Sequence, residues 1–471
     1  MSPASKPVTD EQARVSIRVH KFGGTSVDGA ERLKAMARIV HDHGTPTVVV
    51  VSAMAGVTAS LISLAGGVDA PLDSVARSSV IEALRQRHHD AAADIVDPGE
   101  QRTALVARID LILERVSALL DGPPDGTPGR RRDQLMATGE DLLAELAVAA
   151  LQAEGIAAEV VDARDILWTD ARFGAALPDV DAIRRLVPKR IGALLDQGLT
   201  PVIQGFIGSE SDGATTTLGR GGSDFTATLL GSALGASEVV IWTDVNGIHS
   251  GDPDLVNEPV AVPEVGFEEA VELAYFGARV IHPAAAMHAI ERDVLLRIKN
   301  AFAPEHPGTL IHFDRRETAS FAAVAHKDHV VLIRVRAFPS EMAYGFLGRA
   351  FGVLARHEVP VDLVATSHSS TAFTIDRDEE LSEVRRELEE FAEVDVIENV
   401  STVTVVGSGL LREPGMDALV FWAVEKTQVY LISQASDVSI SFVVDEAEAP
   451  DLVRRLHLSL IELRQDTEKQ A

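Results

Sequence analysis

Through the first two-thirds of this chain, short β-branched apolar runs alternate with longer stretches whose apolar residues recur at three- and four-residue steps. The pattern predicts strands at Ser16–Lys21 and Thr47–Ser52 around a helix at Asp28–His43. Helices Ser74–Asp90, Gln101–Leu120 and Arg132–Glu154 follow, the last two separated by a proline- and glycine-rich loop at residues 121–129. Further strands are expected at Ala158–Asp162, Thr200–Gln204, Glu238–Thr243 and Leu295–Lys299, with helices Ser223–Leu234 and Phe267–Phe276 among them. Short strands joined by helices imply an α/β fold. Its sheet is mostly parallel and covered on both faces, with ligands at the carboxyl ends of the strands.

Near Thr309–Glu317 the pattern changes. Val330–Arg336 (strand), Phe346–His357 (helix), Val361–Ser367 and Thr371–Asp376 (strands) and Leu381–Phe391 (helix) form one block. Thr402–Gly407, Asp417–Lys426, Gln428–Gln434, Val438–Val443 and Ala449–Leu460 repeat its order, so two small α+β modules are expected. Neither holds a candidate reaction centre, which points to a regulatory role.

Two glycine-rich loops stand at strand-to-helix junctions, Lys21-Phe22-Gly23-Gly24-Thr25-Ser26 and Thr217–Asp224 (TLGRGGSD). Glycine leaves backbone N–H groups free at a helix N-terminus, where the helix dipole is positive, so each loop is a candidate anion site. The net charge of −28 argues against nucleic acid and anionic membrane as partners, and repels phosphates and acidic substrates as well. Local cations such as Lys21 therefore matter. With no cysteine, disulfides, thiolate catalysis and cysteine-zinc sites are excluded. His88-His89 and the other histidines lack the spacing of a metal site. Residues 1–15 read as a disordered tail with no secretory leader, and no run is long enough to span a membrane, so a cytoplasmic enzyme is expected.

Lys21–Val27 (KFGGTSV), Thr138-Gly139-Glu140, Gln204–Gly208 (QGFIG), Thr217–Asp224, Ile241–Val245 (IWTDV) and Phe276–Pro283 (FGARVIHP) occur in that order. From about Ser16 to Glu462 the chain resembles the aspartate kinases, in their monofunctional form with two C-terminal ACT modules and of the lysine-sensitive class. The resemblance implies an amino-acid-kinase fold over residues 16–312 and ACT modules at 313–398 and 399–471, with interleaving of the two left open. It implies transfer of a phosphoryl group from ATP to the β-carboxylate of L-aspartate, giving 4-phospho-L-aspartate, the first step of the aspartate-family amino acid pathway. A carboxylate acceptor is already ionised and needs no general base.

By the same resemblance, Lys21 and Asp224 are the catalytic pair. Lys21 offsets charge on the transferred group and Asp224 orders the cations around the phosphates. Arg220 grips the α-carboxylate of aspartate, Glu140 takes its ammonium, and Ser223, Thr58 and Ser52 border it. The nucleotide falls to Lys21, Phe22 (itself read as core packing), Gly23, Gly24, Thr25, Ser26, Gly221, Gly222, Thr243, Asp244, His249 and Arg279. Magnesium is expected to arrive with ATP, with no protein ligand assigned. Gly345, Phe346, Leu347, Asp362, Thr366 and Ser367 match an amino-acid effector loop, and a homodimer or larger homo-oligomer is expected.

Arg279 stands where the family commonly has Lys, His249 where it has Tyr, and Asp254 where it has Arg; Met342, Ala343 and Tyr344 replace polar residues before the effector glycine. Taken singly, each site residue has a plainer reading: Lys21 as a solvated strand end, Asp224 as a helix cap, Glu140 as a carboxylate near a helix start. Two rivals stay open, an enzyme of the same fold acting on another carboxylate acceptor and a catalytically dead amino-acid sensor built on the ACT modules. Lys21, Glu140, Arg220 and Asp224 together favour the aspartate kinase.

Overall fold

Thr47–Val51 is buried along its whole length, as a strand covered by helices on both faces must be. The computed structural model describes residues 16–44, 46–66, 73–122, 127, 129–276, 294–312, 320–339, 345–377, 381–410, 412, 414–434 and 436–462. It divides into two units, Met1–Asn246 with Ala284–Ile311, and Gly247–Pro283 with His312–Ala471.

The first unit runs β1 (Arg18–Phe22), α1 (Ala30–Asp42), β2 (Thr47–Val51), α2 (Val57–Leu64), α3 (Ser74–Ile95), α4 (Glu100–Asp121) and α5 (Arg130–Ala153). It continues with β3 (Ala158–Val161), α6 (Val180–Leu195), β4 (Thr200–Gln204), β5 (Ile207–Ser209), β6 (Thr215–Thr217), α7 (Gly222–Leu234) and β7 (Glu238–Thr243). After β8 (Glu264–Gly266) and α8 (Phe267–Tyr275), which fall in the second unit, β9 (Leu295–Asn300) and β10 (Thr309–His312) return to it.

In the first unit the strand order is β3-β4-β2-β1-β7-β9-β10. Every neighbouring pair is parallel except β9 and β10. Central β1 pairs with β2 on one side and β7 on the other, with Lys21 level with Val50 and Ile241. Lys21 thus reaches the carboxyl end of the sheet between parallel strands that flank β1 on opposite sides, where open α/β sheets bind ligands. Beneath it, Phe22, Val49, Val51 and Trp242 pack with Leu33 and Met36 of α1 and Leu142 and Leu143 of α5.

Helices α2 and α6, the hairpin strands β5 and β6, and strand β10 of this unit escape the sequence pattern. Helix α6 contains Pro188, which reads as a breaker. Helix α2 is eight residues long, and the β5–β6 hairpin has three residues per strand, too short for periodicity to register.

The second unit holds a six-stranded antiparallel sheet. Its elements are β11 (Ser320–Ala337), α9 (Phe346–Arg356), β12 (Val364–Thr366), β13 (Ser370–Asp376) and α10 (Ser382–Glu389), then β14 (Ala392–Ser408), α11 (Met416–Val424), β15 (Val429–Ser433), β16 (Ser439–Asp445) and α12 (Ala449–His457). The strand order is β12-β13-β11-β14-β16-β15.

Strands β11 and β14 are far longer than the pattern predicts, at 18 and 17 residues. They pair along their length, Ser320 opposite Ser408 and Ala337 opposite Ala392. The first half of β11 packs into the core of the later block, Val324 with Val403, Val405 and Leu452. Its second half serves the earlier block, Val331, Ile333 and Val335 with Phe373 and Leu388. The unforeseen halves are alanine-rich (Phe321–Ala325) or charged (Ala392–Asn399), and both compositions disfavour a strand reading. Each strand bends at a residue with positive φ, His329 at 58° and Asn399 at 58°. Among the described residues no helix is long and apolar enough to cross a membrane.

Candidate active site

Two other chain segments, β7 and the loop after β2, crowd the first glycine turn. Trp242 of β7 stacks on Phe22 at 5.8 Å, and its carbonyl accepts the Gly23 N–H at 3.1 Å. A Cβ on Gly24 would lie 2.9 Å from the carbonyl oxygen of Ala53, inside normal contact. Residues Gly24–Val27 then close a tight turn, with the Ser26 N–H donated to Gly23 O at 2.9 Å. The Ser26 hydroxyl is donated to Trp242 O at 3.3 Å and its residue is buried, whereas Thr25 is exposed.

The second turn follows β6. Gly219 and Gly221 have φ of 77° and 69°, a left-handed conformation that strains any side chain with a Cβ, and α7 starts at Gly222. Asp224 in its first turn lies 2.6 Å from Lys21 Nζ, with the two side chains only 13% and 12% exposed. Ser223 is buried against Gly205, where a Cβ would come within 2.6 Å of the serine Cβ. Phe206 also has positive φ, 71°, and is held there by three contacts. Its N–H is donated to Thr226 Oγ1 at 3.1 Å, its carbonyl accepts the Leu218 N–H at 2.8 Å, and its ring lies over Gly222. Such backbone strain persists only where surroundings over-determine it. Arg220 is exposed and forms no ion pair among the described residues.

Helix α5 supplies the third wall. Gly139 faces Ala53, where a Cβ would stand 2.6 Å from the alanine methyl, so the helix backbone packs directly against the side chains of Ala53 and Val57. That contact brings Glu140, 3% exposed, to accept the Ala53 N–H at 3.1 Å through Oε1; Oε2 has no hydrogen-bond partner among the described residues. Burial pushes the carboxyl up to about 8, and the Ala53 N–H offsets part of that rise. Glu140 is not near the helix start, because α5 begins at Arg130 and Glu140 lies in its third turn. The reading that the helix dipole stabilises it therefore fails.

Ser52 and Thr58 are half-buried on the same loop and the first turn of α2, and the Ser52 N–H is donated to Phe22 O at 3.2 Å. Thr243 and Asp244 end β7 as expected, joined by the threonine hydroxyl at 3.2 Å. His249 belongs to the second unit, where it bridges Ala261. Arg279 lies outside the described residues, as do His282, Met342, Ala343 and Tyr344.

Sequence reasoning missed two polar networks, one half-buried around Asp141 and one buried around Asp133. Arg164 forms a two-pronged bond with Asp141 at 2.9 and 3.0 Å, and Gln204 Nε2 is donated to the same carboxylate at 3.1 Å. Asp133 of α5 is fully buried; its Oδ2 accepts the N–H groups of Thr217 at 2.7 Å and Gly174 at 2.9 Å. Burial raises its carboxyl, and those two N–H groups oppose the rise. Both contacts span dozens of residues in sequence, and no local spacing marks them.

The effector candidates separate. Gly345, φ 97°, caps α9; Phe346 is buried against Phe391 at 6.2 Å and Leu347 packs on the same core. Thr366 and Ser367 line a groove of about 550 Å³ with Arg334, Arg336, Glu393 and Asp395. Asp362 does not line that groove; its side chain is 7% exposed and bonded to Lys327 at 2.6 Å.

Known proteins share this architecture. Residues 16–300 match the amino acid kinase family and residues 403–460 an ACT domain. Lysine-sensitive aspartokinase 3 of Escherichia coli (strain K12) is 35% identical over 455 residues, 95% of this chain and 99% of that one. The crystal structure of E. coli aspartokinase III in complex with aspartate and ADP (R-state) is similar with a TM-score of 0.82 at 34% identity, covering 94% of this chain and 99% of that one. The form in complex with lysine and aspartate (T-state) has a TM-score of 0.78 at 34% identity and the same coverage.

Proposed function

Since this chain belongs to the amino acid kinase family and, within it, to the aspartokinases, we propose that it transfers the γ-phosphoryl group of ATP to the β-carboxylate of L-aspartate. The observation that carries the reading is the Lys21–Asp224 pair, 2.6 Å apart between two glycine turns at the end of the central strand. Phosphoryl transfer asks a protein mainly for placement and charge stabilisation, and this geometry offers both. The backbone N–H groups of Gly24, Thr25 and Gly221 cradle the phosphates, while those of Gly23, Ser26 and Gly222 bond the carbonyls of Trp242, Gly23 and Gly219 and brace the two turns. Lys21 neutralises charge on the group in flight, and Asp224 holds the lysine in place.

At the acceptor end, Glu140 takes the substrate ammonium. Its unpartnered Oε2 in a buried setting suits a cation that brings its own donors. Arg220 grips the α-carboxylate, and Ser223, Thr58 and Ser52 border the side chain. Thr243 and Asp244, at the end of β7, attend the rest of the nucleotide. The E. coli relative with aspartate and ADP bound supports both ligand assignments.

Magnesium enters as part of the nucleotide. Among the described residues no three His, Asp or Glu cluster as a metal site. A lone carboxylate, Asp224, beside a phosphate cradle fits an ion held mainly by phosphate oxygens and water. Bound there, the ion lowers the charge of the phosphates. We further assign residues 16–312 to catalysis and 313–398 and 399–471 to ACT modules, with an amino-acid effector held in the groove that Thr366 and Ser367 line, while Phe346 and Leu347 pack in the core and Asp362 is bonded to Lys327. A homodimeric, cytoplasmic enzyme completes the proposal.

Coupled ADP release tests it with aspartate, glutamate, acetylglutamate and carbamate in parallel. Aspartate is expected to be the preferred acceptor by a wide margin; preference for another acceptor overturns the assignment.

A further inference from the structure

Asp133 is fully buried, yet neither the phosphate cradle nor the proposed aspartate contacts use it. A single oxygen, Oδ2, accepts two backbone N–H groups from different turns. Thr217 is the last residue of β6 and leads directly into Leu218–Asp224. Gly174 belongs to a neighbouring turn that grips the same loop: the Ala176 N–H is donated to Thr217 O at 2.9 Å, and the Gly174 carbonyl would lie 3.2 Å from a Cβ on Gly219. One carboxylate therefore fastens both turns to α5.

The same helix carries Glu140 seven residues later, about 10 Å along the axis and on nearly the same face. Glu140 and the loop bearing Arg220 and Asp224 are thus referenced to one rigid rod. Between Thr217 and Ser223 the chain holds three glycines, Gly219, Gly221 and Gly222, and has little stiffness of its own. The two N–H groups donated to Asp133 Oδ2 supply the restraint that the glycines give up.

Resting on the aspartate kinase reading, we infer that Asp133 is a positioning residue that fixes the separation between Glu140 and the loop 217–224, and so selects the length of the amino-acid acceptor. The ammonium is anchored on α5 and the phosphoryl group beside the loop. A shift between them of about an ångström is comparable to one methylene, the difference between aspartate and glutamate. Both N–H groups bond one oxygen, so an asparagine can offer its amide oxygen in the same place; alanine cannot.

The test is kcat/KM of the full-length chain with aspartate and with glutamate at saturating magnesium-ATP. D133A should lower the aspartate-to-glutamate ratio about tenfold or more, the scale of one methylene in a fitted site, and D133N should restore it to within about threefold of wild type. A merely structural role lowers both acceptors together and leaves the ratio unmoved, and that result overturns the inference. If D133A does not fold, D133E carries the test, because it keeps the charge but moves the accepting oxygen by a methylene; its ratio must also fall. Where wild-type turnover of glutamate is below detection, its appearance in D133A or D133E is the expected result and its continued absence the contrary one. Wild-type protein that phosphorylates neither acceptor refutes the kinase reading itself, whereas activity on aspartate with an unmoved ratio refutes only the role of Asp133.

Discussion

Lys21 Nζ stands 2.6 Å from Asp224 Oδ1, so the end of the central strand and the first turn of α7 meet through a partly buried ion pair. Two glycine turns that lie far apart in sequence thereby become one site. Lys21→Ala should lower kcat roughly a hundredfold or more, the scale for losing one electrostatic stabiliser. Steady-state turnover checks it, and a variant within a few-fold of wild type would remove Lys21 from the reaction.

Glu140 makes a prediction about pH. Its folded carboxyl is raised to about 8 from an ordinary value of 4.5, so between those values the folded chain holds a proton that the unfolded chain has lost. The stabilisation this provides is complete below about 4.5 and is lost as pH rises through about 8. Glu140→Gln should flatten that part of the stability-against-pH curve and raise stability near pH 9 by on the order of 4 kcal/mol. Denaturant melts across the range measure both; an unchanged slope contradicts the assignment.

Aspartate should reverse that preference. Its ammonium favours the ionised carboxylate, so binding near pH 7 releases protons. Calorimetry in buffers of different ionisation enthalpy reads that release directly. Glu140→Gln should abolish it and raise the KM for aspartate about tenfold or more, as expected for a charged hydrogen bond.

Glycine in a helix interior normally gives way to alanine with a gain in stability. Gly139 should do the opposite, because the added methyl would sit 2.6 Å from Ala53 and 3.2 Å from Val57. Gly139→Ala is expected to cost about 1–3 kcal/mol by overpacking. Because the loop that gives way is the one bordering the proposed aspartate site, kcat/KM should fall with it. Thermal melts and kinetics together decide; a stabilised, fully active variant would be the contrary result.

The sequence pattern reached the sheet, both glycine turns and the α5–Glu140 connection because each is a local signal: β-branched runs, glycine clusters, a three- and four-residue period. It stopped where contacts are made across long separations. Asp133 sits after three arginines and reads as one more surface charge, although Thr217, 84 positions away, buries it. Pro188 concealed α6. The halves of β11 and β14 were invisible because alanine or charge at those positions becomes strand only through pairing with the other long strand.

That shared pairing can be tested by exchange. Val324 lies in β11 but packs with the core of α12 and β16. Val324→Ala should cost about 2 kcal/mol and speed amide exchange in α12 and β16 more than in α9 and β13. Faster exchange confined to α9 and β13 would contradict the described packing.

The central claim is tested most directly by trapping the product. With magnesium-ATP, aspartate and hydroxylamine, folded protein should yield aspartyl β-hydroxamate in step with ADP release, because the hydroxylamine captures an acyl phosphate. ADP release without hydroxamate, or no reaction with or without candidate amino-acid effectors, would contradict it.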